Sequence, residues 1–114
     1  MYQIKASELR HRISIVDRVK QFDDAGSLTE DWQKGIGFKV IHTVYAKIVP
    51  IGARDYFEAM SNQMQVTHRI VVRYLPGINH KMLINFKGRK LDIVRVINID
   101  EKNKWLEIQA VESM

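Results

Sequence analysis

The sequence predicts an all-β chain: a small antiparallel β-barrel with one short α-helix and long loops. Three observations carry this. Several short runs alternate apolar and polar residues with period two, turn-forming residues separate them, and no alternation of strands with long helices is visible.

In chain order, residues 1–10 read as an N-terminal arm, in which Tyr2 to Leu9 can form a single helical turn with Ser7 as its cap. From His11, Ile13 and Ile15 alternate with Arg12 and Ser14, a half-buried strand reaching about Val19. Residues 20–42 read as a long loop or hairpin-like excursion. Asp23-Asp24-Ala25-Gly26 and Gly35-Ile36-Gly37 place turn chemistry at both ends of a polar stretch around Trp32. Val44, Ala46 and Ile48 then alternate with Tyr45 and Lys47, and Pro50 should end this strand because proline has no amide hydrogen for a ladder.

Residues 50–66 break the period. Tyr56, Phe57, Met60 and Met64 fall at i, i+1, i+4 and i+8, one stripe of a helix over Ala53 to Met64. A helix of about a dozen residues is marginal by itself in water, so it must lean on the sheet or on a neighbour. His68, Ile70, Val72 and Tyr74 alternate with Arg69, Val71 and Arg73, and Pro76-Gly77 turns the chain. Met82, Ile84 and Phe86 form the next strand. Lys87-Gly88-Arg89 connects it tightly to Leu91 to Ile99, since glycine supplies the positive φ of a short hairpin. Both faces of that strand are apolar, or its register shifts at a bulge near Val94 and Arg95. Asp100 to Lys104 is the last turn and Trp105 to Val111 the last strand.

A chain of 114 residues has room for one domain that buries roughly 60% to 70% of its unfolded surface. The absence of cysteine excludes disulfides, thiolate metal sites and a cysteine nucleophile. No apolar run approaches the roughly 20 residues needed to cross a bilayer, and the start of the chain does not resemble a secretion signal, so a soluble, cytosolic chain without membrane contact is expected. The net charge of +5 permits contact with a polyanion without demanding it.

Little points to catalysis. His11, His42, His68 and His80 lie on separate elements without the spacing of a local metal pair, and His68 reads as a hydrogen-bonded, partly buried side chain. Asp23-Asp24 and Glu30-Asp31 read as solvated turn acids rather than an acid–base pair. Gly35-Ile36-Gly37 lacks the further glycine and the strand-to-helix setting of a phosphate loop. No enzyme, no metal and no cofactor is expected. Arg69, Arg73 and Tyr74, with Lys87, Arg89 and Lys90, leave a second reading: a small barrel that binds nucleic acid without catalysis. A basic edge that discourages strand-to-strand aggregation explains the same residues without a ligand.

From Leu9 to Ile108 the chain resembles the tailed-phage head-tail joining proteins, also called head completion or head closure proteins and head-tail adaptors. The resemblance rests on Leu9-Arg10-His11-Arg12-Ile13, on Gly26 and Trp32, and on Val44-Tyr45-Ala46-Lys47-Ile48 with Pro50. It continues in Glu58-Ala59, Thr67-His68-Arg69-Ile70, Arg73-Tyr74, Lys81-Met82, and Gly88-Arg89 before Leu91 and Ile93. Leu83 stands where a basic residue commonly follows the methionine, and Ala53-Arg54-Asp55 replaces a usual glycine, arginine and glutamate; both departures bear on interface detail.

The resemblance implies a subunit of a homo-oligomeric ring, monomeric when free, that docks beneath the portal or its adaptor after DNA packaging, holds the genome in and offers a surface to a tail or tail-completion protein. Its place would be the virion's head-tail interface, reached from the bacterial cytoplasm, with packaged DNA nearby but no sequence-specific binding. Pro50 to Val66 is then the candidate gating segment. A ring needs two different complementary surfaces on each copy. The arm, the excursion and the helix are the expected suppliers, partly mobile before assembly, with Arg54, Tyr56, Phe57, Glu58, Met60, Met64, Arg10, Arg12, Trp32, Arg69 and Arg73 as candidate interface or gating residues. Most arginines are expected to face outward or into subunit contacts rather than the channel.

Overall fold

The structure is a computed structural model that describes residues 4–51 and 66–112. Among these residues lie β1 (His11–Arg18), β2 (Phe38–Pro50), β3 (His68–Arg73), β4 (Leu83–Phe86), β5 (Arg89–Asn98) and β6 (Trp105–Glu112). Short 3-10 turns occur at Ala6–Glu8 and Ile99–Glu101. Every pairing is antiparallel, and the order β1-β2-β3-β6-β5-β4 closes into a barrel, the class expected from the sequence. The helix expected over Ala53 to Met64 lies outside the described residues.

Directly opposed residues of paired strands share a face, so the register tells which side chains turn inward. Ile70 stands between Ile48 and Ile108, Val72 is opposite Leu106, and Ile93 is opposite Ala110. Ile70, Val72, Ile93, Leu106, Ile108 and Ala110 form one buried cluster inside the barrel with Ile13, Ala46, Ile84, Phe86 and Leu91, and the partly buried Ile48 packs against it. Removing this apolar surface from water is the main force that closes the sheet. Two bulges bend it: one on β2, where Ile15 and Val16 pair with His42 and Val40 and leave Ile41 as the extra residue, and one between Ile93 and Arg95 on β5, where the doubly apolar run suggested one. Lys87 and Gly88 join β4 to β5 with φ of 53° and 84°, the pair of positive values that a type I′ hairpin turn requires.

Two sequence readings need correction. β2 starts at Phe38, so residues 38–42 belong to a strand rather than to the excursion. Val40 and Ile41 are both exposed, which erases the alternation; the strand is held instead by pairing of Lys39 with Asp17 and Val40 with Val16. Ser7 is not a cap, because it lies inside the turn that follows Lys5, and no side-chain cap bond forms there.

Candidate subunit interface

The excursion between β1 and β2 is a folded ribbon. Its outer turn forms because one oxygen of Asp23 accepts hydrogen bonds from the amides of Ala25 and Ser27, both at 2.9 Å, while Gly26 takes a φ of 81°. This closes an antiparallel bridge between Phe22 and Leu28, and a second bridge joins Asp31 to Ile36. As direct partners, Phe22 and Leu28 lie on one face, and they are 59% and 65% exposed. Trp32 tethers the ribbon to the barrel. Its indole Nε1 donates to the Gly88 carbonyl at 2.9 Å, its ring meets Phe38 edge-on at 4.9 Å, and the Lys90 ammonium lies over both rings.

A second surface opens where β2 leaves β3. Their pairing runs from Pro50 opposite His68 only as far as Lys47 opposite Val71. Among the described residues, nothing pairs with that edge of β2 from Phe38 to Ala46. The gap is a cleft of about 340 Å³ lined by Ala6, Leu9, Val44, Tyr45, Arg73 and Leu75. The Lys47 ammonium is paired with Glu8, which holds the arm's 3-10 turn beside the cleft and keeps the Glu8 carboxyl below the usual carboxylate range.

At the opposite end of β3 a polar network closes the barrel mouth. Arg89 grips Glu112 with two hydrogen bonds, Nε to Oε2 at 2.8 Å and Nη2 to Oε1 at 2.6 Å, and also reaches His68 Nε2 at 3.4 Å. Thr67 Oγ1 lies 2.9 Å from His68 Nδ1, accepts the Glu112 amide at 2.8 Å and donates to the Ala110 carbonyl at 3.4 Å. All these bonds are satisfied together when His68 is neutral with its proton on Nδ1. Burial first, and the Arg89 charge second, hold the imidazole pKa below its ordinary value in agreement with this. The same residues fasten both stems of residues 52–65, since Ile51 donates to the Thr67 carbonyl and Thr67 to the Ala110 carbonyl, each at 2.9 Å.

The candidate residues therefore separate. Arg73 lines the cleft and stacks over Trp105 at 5.3 Å; Arg12 is opposite Tyr45 in the β1–β2 ladder; Arg10 follows Leu9 and bonds the Ser7 carbonyl. Arg69 shares the outer face of β3 but turns to the buried Glu107, at 3.5 Å. Trp32 belongs to the excursion's tether. Arg54, Tyr56, Phe57, Glu58, Met60 and Met64 lie outside the described residues. Of the remaining residues in the nucleic-acid reading, Lys87 lies over Phe86, Arg89 is paired with Glu112, Lys90 covers Trp32, and Tyr74 packs against the core. Sequence reasoning missed Phe22, Leu28 and Val40 as exposed apolar residues, and Arg89 and Glu112 as a pair. An apolar residue on each side of Asp-Asp-Ala-Gly-Ser was the available signal for the first two.

Among the described residues no group of three His, Asp or Glu side chains is placed to hold a metal ion, and no helix is long and apolar enough to cross a membrane.

No curated protein sequence matches the chain. Among solved structures it is similar to protein SF1141 from Shigella flexneri 2a, known from a solution structure. The TM-score is 0.68 at 23% identity, over 96% of this chain and 97% of that one. It is also similar to a chain in the virion of a native gene transfer agent particle, with TM-score 0.57 and 17% identity over 92% of this chain and 96% of that one. Both likenesses are of fold. The sequence model of the phage head completion proteins matches residues 4–113, which takes in the barrel, the excursion and both surfaces beside it. The chain belongs to the phage head completion protein family and has a structural role in the phage head.

Proposed function

We propose that this chain is a subunit of the ring that joins a DNA-filled phage head to its tail: it docks beneath the portal or its adaptor after packaging, closes the DNA channel and presents the surface to which the tail binds. The observation that carries this reading is the family match over residues 4–113 combined with where the apolar surface lies. The barrel interior is sealed, while Phe22, Leu28, Val40 and Tyr45 stand exposed on the ribbon and the β2 edge, where a partner can cover them. Pro50 to Val66 is the segment proposed to face the channel; all but its ends lies outside the described residues, and Ile51 donates to the Thr67 carbonyl where those ends meet.

Closing a channel needs no base recognition. Cations in the channel would attract phosphate and hinder the DNA's exit, and several of the barrel's cations are already held by Glu8, Glu107 and Glu112 or lie over aromatic rings. Deleting the gene tests the proposal. Heads should package DNA, then leak it and remain tailless, and purified chain should restore both retention and tail joining. Tailed, stable particles without the chain would refute it, and so would strong, salt-dependent DNA binding by the isolated chain.

A further inference from the structure

Resting on that reading, we infer that the ribbon tip of one copy docks in the β2–β3 cleft of the next copy, a head-to-tail contact that repeats around the ring. Three properties of the two surfaces match. The first is charge: Gln21 to Asp31 contains no basic residue, and its outer turn carries Asp23 and Asp24, while Glu30 is paired with Arg18 at 3.7 Å, in a chain of net charge +5. Arg73 lines the cleft, Arg10 follows its lining residue Leu9, and Arg12 stands opposite its lining residue Tyr45. Opposite fields bring the right surfaces together and penalise like with like, so tip-to-tip and cleft-to-cleft encounters are disfavoured.

The second is apolar surface. Phe22 and Leu28 share one exposed face of the tip, and the cleft offers Leu9, Val44 and the 57% exposed Tyr45. The third is backbone. Among the described residues, nothing pairs with the edge of β2 from Phe38 to Ala46 beside the cleft, and the tip is already extended antiparallel chain of the kind that adds to such an edge. The two surfaces are different patches of one molecule, so the contact is heterologous. It builds a ring when its rotation closes, whereas a patch meeting itself would stop at a two-fold dimer. A second copy is the proposed occupant for this reason.

The chain has no cysteine, so engineered thiols report without background. Leu28→Cys and Tyr45→Cys chains, both altered at exposed positions, are oxidised alone and mixed, in solution at high concentration and on DNA-filled heads that lack the chain. A disulfide traps transient encounters, so the solution arm is read whether or not heads accept the protein. The expected result is at least ten times more disulfide in the mixture than in either variant alone. Adding Arg73→Asp to the Tyr45→Cys chain should suppress it, and adding Asp24→Arg to the Leu28→Cys partner should recover it. Equal yields, a self-linked Leu28→Cys product in excess, or cross-links only to a head or tail protein would overturn the inference. Attachment to heads without the mixed disulfide would refute this contact and leave the head-joining reading standing. The mixed disulfide in solution with no attachment to heads would do the reverse.

Discussion

Ile108→Ala should be among the most damaging single truncations in this barrel, while Leu28→Ser and Val40→Ser should be nearly silent for folding. Ile108 lies in the middle of β6, between Ile70 on β3 and Val96 on β5, with no exposed surface. The truncation removes three carbon atoms. At about 0.8 kcal/mol per buried carbon, transfer alone amounts to about 2.4 kcal/mol. The void adds to that, because strands hydrogen-bonded around a closed barrel cannot move inward without breaking their ladders. A total of about 3 to 4 kcal/mol follows, within the range of Ile→Ala changes in cores. Against a stability of about 5 to 15 kcal/mol for a domain, this is a large fraction.

With a urea slope of about 1 to 2 kcal/mol per molar, the unfolding midpoint should fall by about 1.5 to 4 M. Leu28 and Val40 are 65% and 57% exposed, so replacing them with serine removes surface that is already wet and should change stability by no more than about 0.5 kcal/mol. Urea titration followed by the fluorescence of Trp32 and Trp105 measures all three. A cost below about 1 kcal/mol for Ile108→Ala, or a cost for Leu28→Ser equal to it, would refute the division between a sealed interior and a surface kept for partners.

Further outcomes follow from local geometry. Gly88→Ala should cost about 1 to 2 kcal/mol through backbone strain alone, since its φ is 84° and an added Cβ would meet nothing within 4 Å; Gly37→Ala should cost more, because there the Cβ would also sit 3.1 Å from the Thr29 carbonyl oxygen. Urea unfolding ranks the two, and a smaller loss for Gly37→Ala would contradict the close approach. Trp32→Phe should lose about 1 kcal/mol with its bond to the Gly88 carbonyl and speed amide exchange across residues 21–36, and unchanged exchange would show that the indole is not the tether. His68 has a pKa held below its ordinary 6.5, so folding favours the neutral ring; its contribution is complete above about pH 6.5 and is lost as pH falls through the folded value. Melting temperature should therefore drop from about pH 7.5 to 5, and His68→Gln should flatten the drop. An equal drop in the variant would assign it to other groups. The Glu112 carboxyl, lowered by its bonds to Arg89, loses its contribution only below its ordinary 4.5 and stays outside that window.

The barrel was legible because strands with one buried face write their burial into alternate positions. On β3, His68, Ile70 and Val72 are buried while Arg69 and Arg73 are more open, with Val71 buried as well, and the Lys87-Gly88 turn and the bulge after Ile93 were signalled by glycine and by a doubly apolar run. The first part of β2 was not legible, because a strand exposed on both faces carries no burial signal; its state depends on β1, which pairs with it. The candidate surfaces were only partly so. Arg10, Arg12 and Arg73 were named from the family pattern, but that Arg73 lines a cleft beside Leu9 and Tyr45 depends on where β2 parts from β3, a fact of register rather than of local sequence. Arg89 and Glu112 are far apart in the chain and meet because β5 and β6 are neighbours, so no local motif could announce the pair.

The most direct measurement is a cryo-electron microscopy map of the vertex in particles made with and without this chain. The proposed role predicts a ring of copies of the six-stranded barrel between the portal or its adaptor and the tail, with Pro50 to Val66 turned toward the axis, and an open, tailless vertex when the chain is withheld. A complete joint in which no density fits the barrel would contradict it.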